Sequence, residues 1–225
     1  MNRRYRFQPL CETIENRMCL SVSAVLSEGS LRVEGDADGP VQIVALDADS
    51  YQVVDNGAEV AVIDGVWQNL RVNLGNLDDD VTIDLAGKTV RKHLVVDLGE
   101  GHNQLEIMNG SIAGQLIVSA GLGDDTVDIQ DGVVTRRHTM IHLGDGENTF
   151  SYGGKTSWHL FYNGLGGTDT VTILDTATIG RHTRLKLGDG DNSATVDGTV
   201  WRQAVVGAGT GADTVVTNES FVVGF

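Results

Sequence analysis

Seven Asp or Asn residues recur along the chain, each followed two positions later by an apolar side chain. They are Asp79, Asn103, Asp125, Asn148, Asp169, Asn192 and Asp213, spaced 21–24 residues apart. Further acids crowd the same stretches: Asp78 and Asp80 around Asp79, Asp124 beside Asp125, Asp145 and Glu147 before Asn148, and Asp189 and Asp191 before Asn192. Carboxylate oxygens gathered in glycine-rich turns are the hard ligands that Ca²⁺ takes. On that chemistry the candidate calcium ligands are Asp79, Asp80, Asp124, Asp125, Asp145, Asp169, Asp189 and Asp213. The Asp189-x-Asp191 pair is not an EF-hand, since the central Gly and the twelfth-position Glu of that loop are missing.

The alternation of Asp with Asn has a second explanation that needs no metal. Two carboxylates one strand spacing apart repel by roughly 3–4 kcal/mol at an effective dielectric of about 20. An Asn between them separates the charges and brings NH₂ donors. A hydrogen-bonded Asp/Asn ladder and a calcium-filled turn therefore both account for the pattern.

Ten residues before each anchor runs another polar column: Asn69, His93, Gln115, His138, His159, His182 and Gln203. Its histidines are either a transition-metal site or a ladder of stacked, outward-facing side chains. A straight column converges poorly on one point, which favours the ladder. Eleven before the anchors stand Lys92, Arg137, Arg181 and Arg202, with Arg184 and Lys186 nearby. They form either a basic stripe for an acidic glycan or a solvated face that offsets the acidic turns.

The elements that hold these columns follow from the same anchors. Two and four residues after them come apolar columns, for example Val81 and Ile83, Leu105 and Ile107, Val127 and Ile129. Seven before come Val72, Val96, Val118, Ile141, Tyr162, Leu185 and Val206; thirteen before come Val66, Val90, Ile112, Thr135, Thr156, Ile179 and Val200. Offsets of two share one face of a strand. Each unit thus reads as three short strands separated by turns, and it buries its apolar face only by stacking on its neighbours. The expected fold is all-β: a right-handed parallel β-helix, a solenoid of about 22 residues per coil over residues 66–225. Trp67, Trp158 and Trp201 precede strands at comparable places and give the repeat a longer period of about two coils. Residues 22–65 keep strand alternation but lose the register, as irregular starting coils or a cap would.

The turns AGLGDDTVD (120–128), LGDGENTFS (143–151), LGDGDNSAT (187–195) and AGTGADTVV (208–216) resemble the glycine-rich nonapeptide of bacterial RTX (hemolysin-type) calcium-binding repeats. The resemblance implies Ca²⁺ enclosed by carbonyls and aspartates of turns one coil apart. The chain departs from that family in recurring once per coil, and in carrying Asn148 and Asn192 at the key acid position. Residues 1–21 carry Ile14, Glu15, Asn16, Arg17, Leu20 and Ser21, which resemble a short export-associated motif of bacterial surface proteins. A capping amphipathic helix is the other reading, with Cys11 and Cys19 paired or free.

Composition narrows the function. The formal net charge of −15 opposes nucleic-acid binding. No apolar run approaches the roughly 18–20 residues of a membrane helix. The basic N-terminus lacks the apolar stretch of an ordinary signal peptide. An active site should break a repeat locally, because it needs different groups converging on one point, and here the polar columns simply recur. The expectation is a non-catalytic, extracellular or cell-surface solenoid, with calcium as its cofactor and a polysaccharide or another solenoid chain as its partner. A carbohydrate-active β-helix enzyme and an end-to-end assembly module, docking through Phe221 and Phe225, are the alternatives.

Overall fold

A computed structural model describes residues 22–37 and 39–218, together with the strand Val222–Gly224. The export-like segment, Cys11, Cys19, Phe221 and Phe225 lie outside the described residues. The described chain is all-β, with 26 strands and no helix, so no helix among these residues is long and apolar enough to cross a membrane.

Residues 22–65 build five strands. β1 (Val22–Ser27) and β2 (Ser30–Gly35) form an antiparallel hairpin. β3 (Val41–Ala45), β4 (Ser50–Asp55) and β5 (Ala58–Asp64) form an antiparallel meander. Both two-residue turns, Glu28-Gly29 and Asn56-Gly57, have positive φ at each position, the geometry whose twist matches paired strands. This unit then seeds the stack, because β2 pairs in parallel with β6 (Leu70–Leu74) and β3 with β7 (Asp80–Asp84).

From β6 onward every connection is a coil. β6 belongs to sheet A, β7 to sheet B and β8 (Thr89–Val90) to sheet C. Sheets A and B reach ten strands and sheet C six, which makes a parallel β-solenoid of about six turns with about 23 residues per turn. The repeat columns lie directly over one another. Sheet B stacks Val81, Leu105, Val127, Phe150, Val171, Ala194 and Val215. Sheet A stacks Val72, Val96, Val118, Ile141, Tyr162, Leu185 and Val206. Sheet C stacks Val90, Ile112, Thr135, Thr156, Ile179 and Val200.

These columns line one continuous core, and a further buried row, Leu70, Leu94, Leu116 and Leu160, opens the sheet A strands. Each fully buried Val, Leu or Ile stabilises the stack by about 1.5–3 kcal/mol. Where the interior columns turn polar, the hydroxyls of Thr135 and Thr183 are buried without a hydrogen bond, whereas Thr156 Oγ1 lies 2.6 Å from Thr139 Oγ1 and 2.7 Å from the Tyr152 hydroxyl. Phe150 and Tyr162 stack beside them at 5.6 Å.

Candidate functional site

The turn from sheet A to sheet B carries the acids. Its glycines are required by close approach between coils. A Cβ on Gly146, whose φ is 133°, would lie 1.9 Å from the carbonyl oxygen of Gly123 one coil below. Gly190 (φ 120°) stands over Gly167 with the same 1.9 Å clearance. Only glycine accepts both that backbone and that contact.

The anchors follow these glycines and turn inward. Asp79, Asn103, Asp125, Asn148, Asp169 and Asn192 are all buried, and Asp213 is half-buried. Each side-chain Oδ1 accepts the backbone N–H of the equivalent residue in the preceding coil. The series runs Ala37 to Asp79 (3.0 Å), Asp79 to Asn103 (3.0 Å), Asn103 to Asp125 (3.1 Å) and Asp125 to Asn148 (3.0 Å). It continues Asn148 to Asp169 (3.2 Å), Asp169 to Asn192 (2.8 Å) and Asn192 to Asp213 (3.0 Å).

The second polar atom separates Asn from Asp. The Nδ2 of Asn103, Asn148 and Asn192 donates to carbonyls of its own turn, Gly101, Gly146 and Gly190 among them. Asn103 also reaches a neighbouring anchor, Asp125, at 2.8 Å. At the aspartates that place is filled by a second oxygen. Asp169 Oδ2 accepts the Tyr162 hydroxyl at 2.8 Å, whereas Asp79 Oδ2 and Asp125 Oδ2 are buried without a hydrogen bond. Burial pushes the Asp79 and Asp125 carboxyls up to about 6 and raises Asp169 as well. Burial, reinforced by the Asp169 carboxylate, also holds the Tyr162 hydroxyl protonated.

The remaining acids of the turn stay outside. Asp78, Asp124 and Asp191 each accept, at 2.8 Å, the N–H of the residue one coil on: His102, Glu147 and Ala212. Asp189 accepts the backbone N–H and hydroxyl of Thr210, which hold its carboxyl low. Asp80 and Asp145 are exposed. The eight expected calcium ligands therefore divide into Asp79, Asp125, Asp169 and Asp213 on the inward ladder and Asp80, Asp124, Asp145 and Asp189 on the surface. Among the described residues no three His, Cys, Asp or Glu side chains are placed to hold a metal.

The turn from sheet C to sheet A has the opposite character. It comprises residues 91–93, 113–115, 136–138, 157–159, 180–182 and 201–203, with residues 67–69 leading from β5 into β6 at the equivalent place, and it carries Arg91, Lys92, Arg136, Arg137, Arg181 and Arg202 and no Asp or Glu. The imidazoles of His138, His159 and His182 stack 5.1 and 5.2 Å apart, with planes within 9° of parallel. Gln115 donates its N–H to His93 Nδ1 at 3.1 Å, and His182 donates to His159 Nδ1 at 3.3 Å. Burial, helped by the nearby arginines, lowers His93, His138 and His159. His93 and His159 accept through Nδ1, whereas His138 Nδ1 is buried without a hydrogen bond, and parallel rings do not converge on a metal.

Outside the stack, Arg137 and Arg181 flank Trp158, their guanidinium carbons 5.8 and 4.9 Å from the ring. Lys92 lies 5.9 Å from Trp67 in the same arrangement. Neither arginine side chain has an ion-pair or hydrogen-bond partner among the described residues.

Comparison with family models, curated proteins and solved structures gave no match. Function therefore has to be argued from the two turns themselves.

Two features escaped the sequence reading, and both had a signal. The anchor has the same parity as the apolar residues two and four positions on, which places it on the inward face. The Arg–Trp–Arg stack was visible as Arg137, Trp158 and Arg181 at matching places in three successive coils.

Proposed function

We propose that this chain is a non-catalytic β-solenoid acting outside the cytoplasm or at the cell surface as a structural and interaction module. The observation that carries the reading is the unbroken inward ladder from Ala37 to Asp213. The buried carboxylates accept backbone N–H groups of the preceding coil, and the outer acids Asp78, Asp124 and Asp191 accept those of the following coil. The turns close on their own hydrogen bonds, so calcium is not needed to hold them. The resemblance of residues 14–21 to an export-associated segment supports the location.

Incubation with acidic polysaccharides should release neither new reducing ends nor unsaturated uronates. Turnover that disappears in Arg137→Ala or Arg181→Ala would replace this reading with a carbohydrate-active enzyme. A tagged chain expressed in its source cell should fractionate with the medium or the cell surface, and retention in the cytoplasm would remove the location.

A further inference from the structure

The corner between sheets C and A is anomalous for so acidic a chain. A net charge of −15 coexists with an edge of six Arg and Lys residues and no acid. The turn between sheets A and B has no Lys or Arg, so the two charges occupy different edges of the rod. Trp67, Trp158 and Trp201 lie along the basic edge with 54%, 38% and 73% of their surface exposed. Exposed indoles with guanidinium groups packed against them present both an apolar face and cationic donors to a ligand.

From this we infer that the basic edge binds an anionic polysaccharide laid along the solenoid axis, with Arg137 and Arg181 reading acidic groups on alternate sugars. The inference rests on the interaction-module reading above and names its ligand class. Trp158 lies between the two guanidinium groups and fixes their spacing, which makes it a positioning residue. Because Arg137 and Arg181 sit in alternate coils, they are about 10 Å apart, the length of one disaccharide. Each offers a planar fork of donors that matches a carboxylate or sulfate. The pyranose faces have apolar surface to pack on at Trp201, and Phe161 stands half-buried on the outer face of the adjacent sheet A strand.

Charge density favours a glycan over a nucleic acid. Duplex DNA carries one charge per about 1.7 Å and would bring far more negative charge against an acidic protein than this single edge neutralises. A chain with one acid per disaccharide matches the cations and leaves the acidic edge at a distance.

The test is affinity electrophoresis and calorimetry of the full chain with hyaluronan, which carries a carboxylate on alternate sugars. Dextran is the neutral control and a DNA duplex the rival polyanion. Hyaluronan should retard the protein, and raising salt from about 50 to 300 mM should release it. Arg137→Ala and Arg181→Ala should each weaken binding about tenfold. Arg137→Lys with Arg181→Lys keeps the charge but loses the planar fork, and should bind more weakly than the parent and more tightly than the double alanine variant. These side chains are exposed, so an unchanged melting temperature will show that each variant is folded. Asp124→Asn, on the acidic edge, should bind at least as well as the parent.

No retardation by hyaluronan, equal retardation by dextran, or tighter binding to DNA would each overturn the inference. Hyaluronan binding that the arginine variants leave unchanged would do the same. All four outcomes leave the module reading standing, because that reading falls on polysaccharide cleavage or cytoplasmic retention.

Discussion

Replacing Asp125 by Asn tests the ladder at the point where it is least satisfied. Asp125 is fully buried, its Oδ1 accepts both the N–H and the Nδ2 of Asn103, and its Oδ2 has no hydrogen-bond partner. The substitution keeps Oδ1 and puts an NH₂ where Asn103, Asn148 and Asn192 use one to reach the carbonyls of their turns. A carboxyl held at about 6, against an ordinary value of 3.8, disfavours the folded, ionised form. At pH 7 that cost is on the order of 2–3 kcal/mol. The sign follows from the raised value: the folded state binds the extra proton, so the wild type regains this stability as pH falls through 6 toward 4. Asp125→Asn should therefore melt roughly 5–10 °C above the wild type at pH 7, with the gap about halved at pH 5. His93, His138 and His159 titrate in the opposite sense, but they are common to both proteins and cancel in the difference. Circular-dichroism melts at the two pH values measure it. A lower melting point for Asp125→Asn at pH 7 would refute the reasoning.

Other consequences of the same geometry are direct. Melting in EDTA and in about 5–10 mM Ca²⁺ should give one midpoint, because only a cation bound to the folded form raises it; a clear rise with Ca²⁺ would place a site on the outer carboxylates. Gly146→Ala should destabilise by about 3 kcal/mol or more through its φ of 133° and its clash with the Gly123 carbonyl, whereas Gly132→Ala, with nothing within 4 Å, should cost only the positive-φ strain of about 1 kcal/mol. Tyr162→Phe leaves the buried Asp169 Oδ2 without its donor and should cost about 1–3 kcal/mol in denaturant unfolding; an unchanged midpoint would mean that this hydrogen bond contributes nothing.

The coils were legible because burial on a strand face is written with period two, and stacking forces equivalent residues into register. Val96, Val118 and Ile141 pair as their offsets require. The first strands were less legible. Antiparallel pairing leaves no repeat to align, so Val22–Asp64 showed alternation without a frame; the Asn56-Gly57 dipeptide was the available hairpin signal. At the turns, residue type suggested ion binding because Asp serves equally as a cation ligand and as an acceptor for backbone N–H. Direction decides between those uses, and the shared parity of Asp125 with Val127 and Ile129 carried that direction. The opposing edges could not be read from net charge, which sums the surface without locating it.

Those edges give the molecule a transverse electric dipole. Near a negatively charged surface such a rod experiences a torque before it touches, beginning at roughly a Debye length, about 8–10 Å in ordinary salt. It would settle lengthwise with its arginines inward and its aspartates toward solution, so that every copy faces the same way.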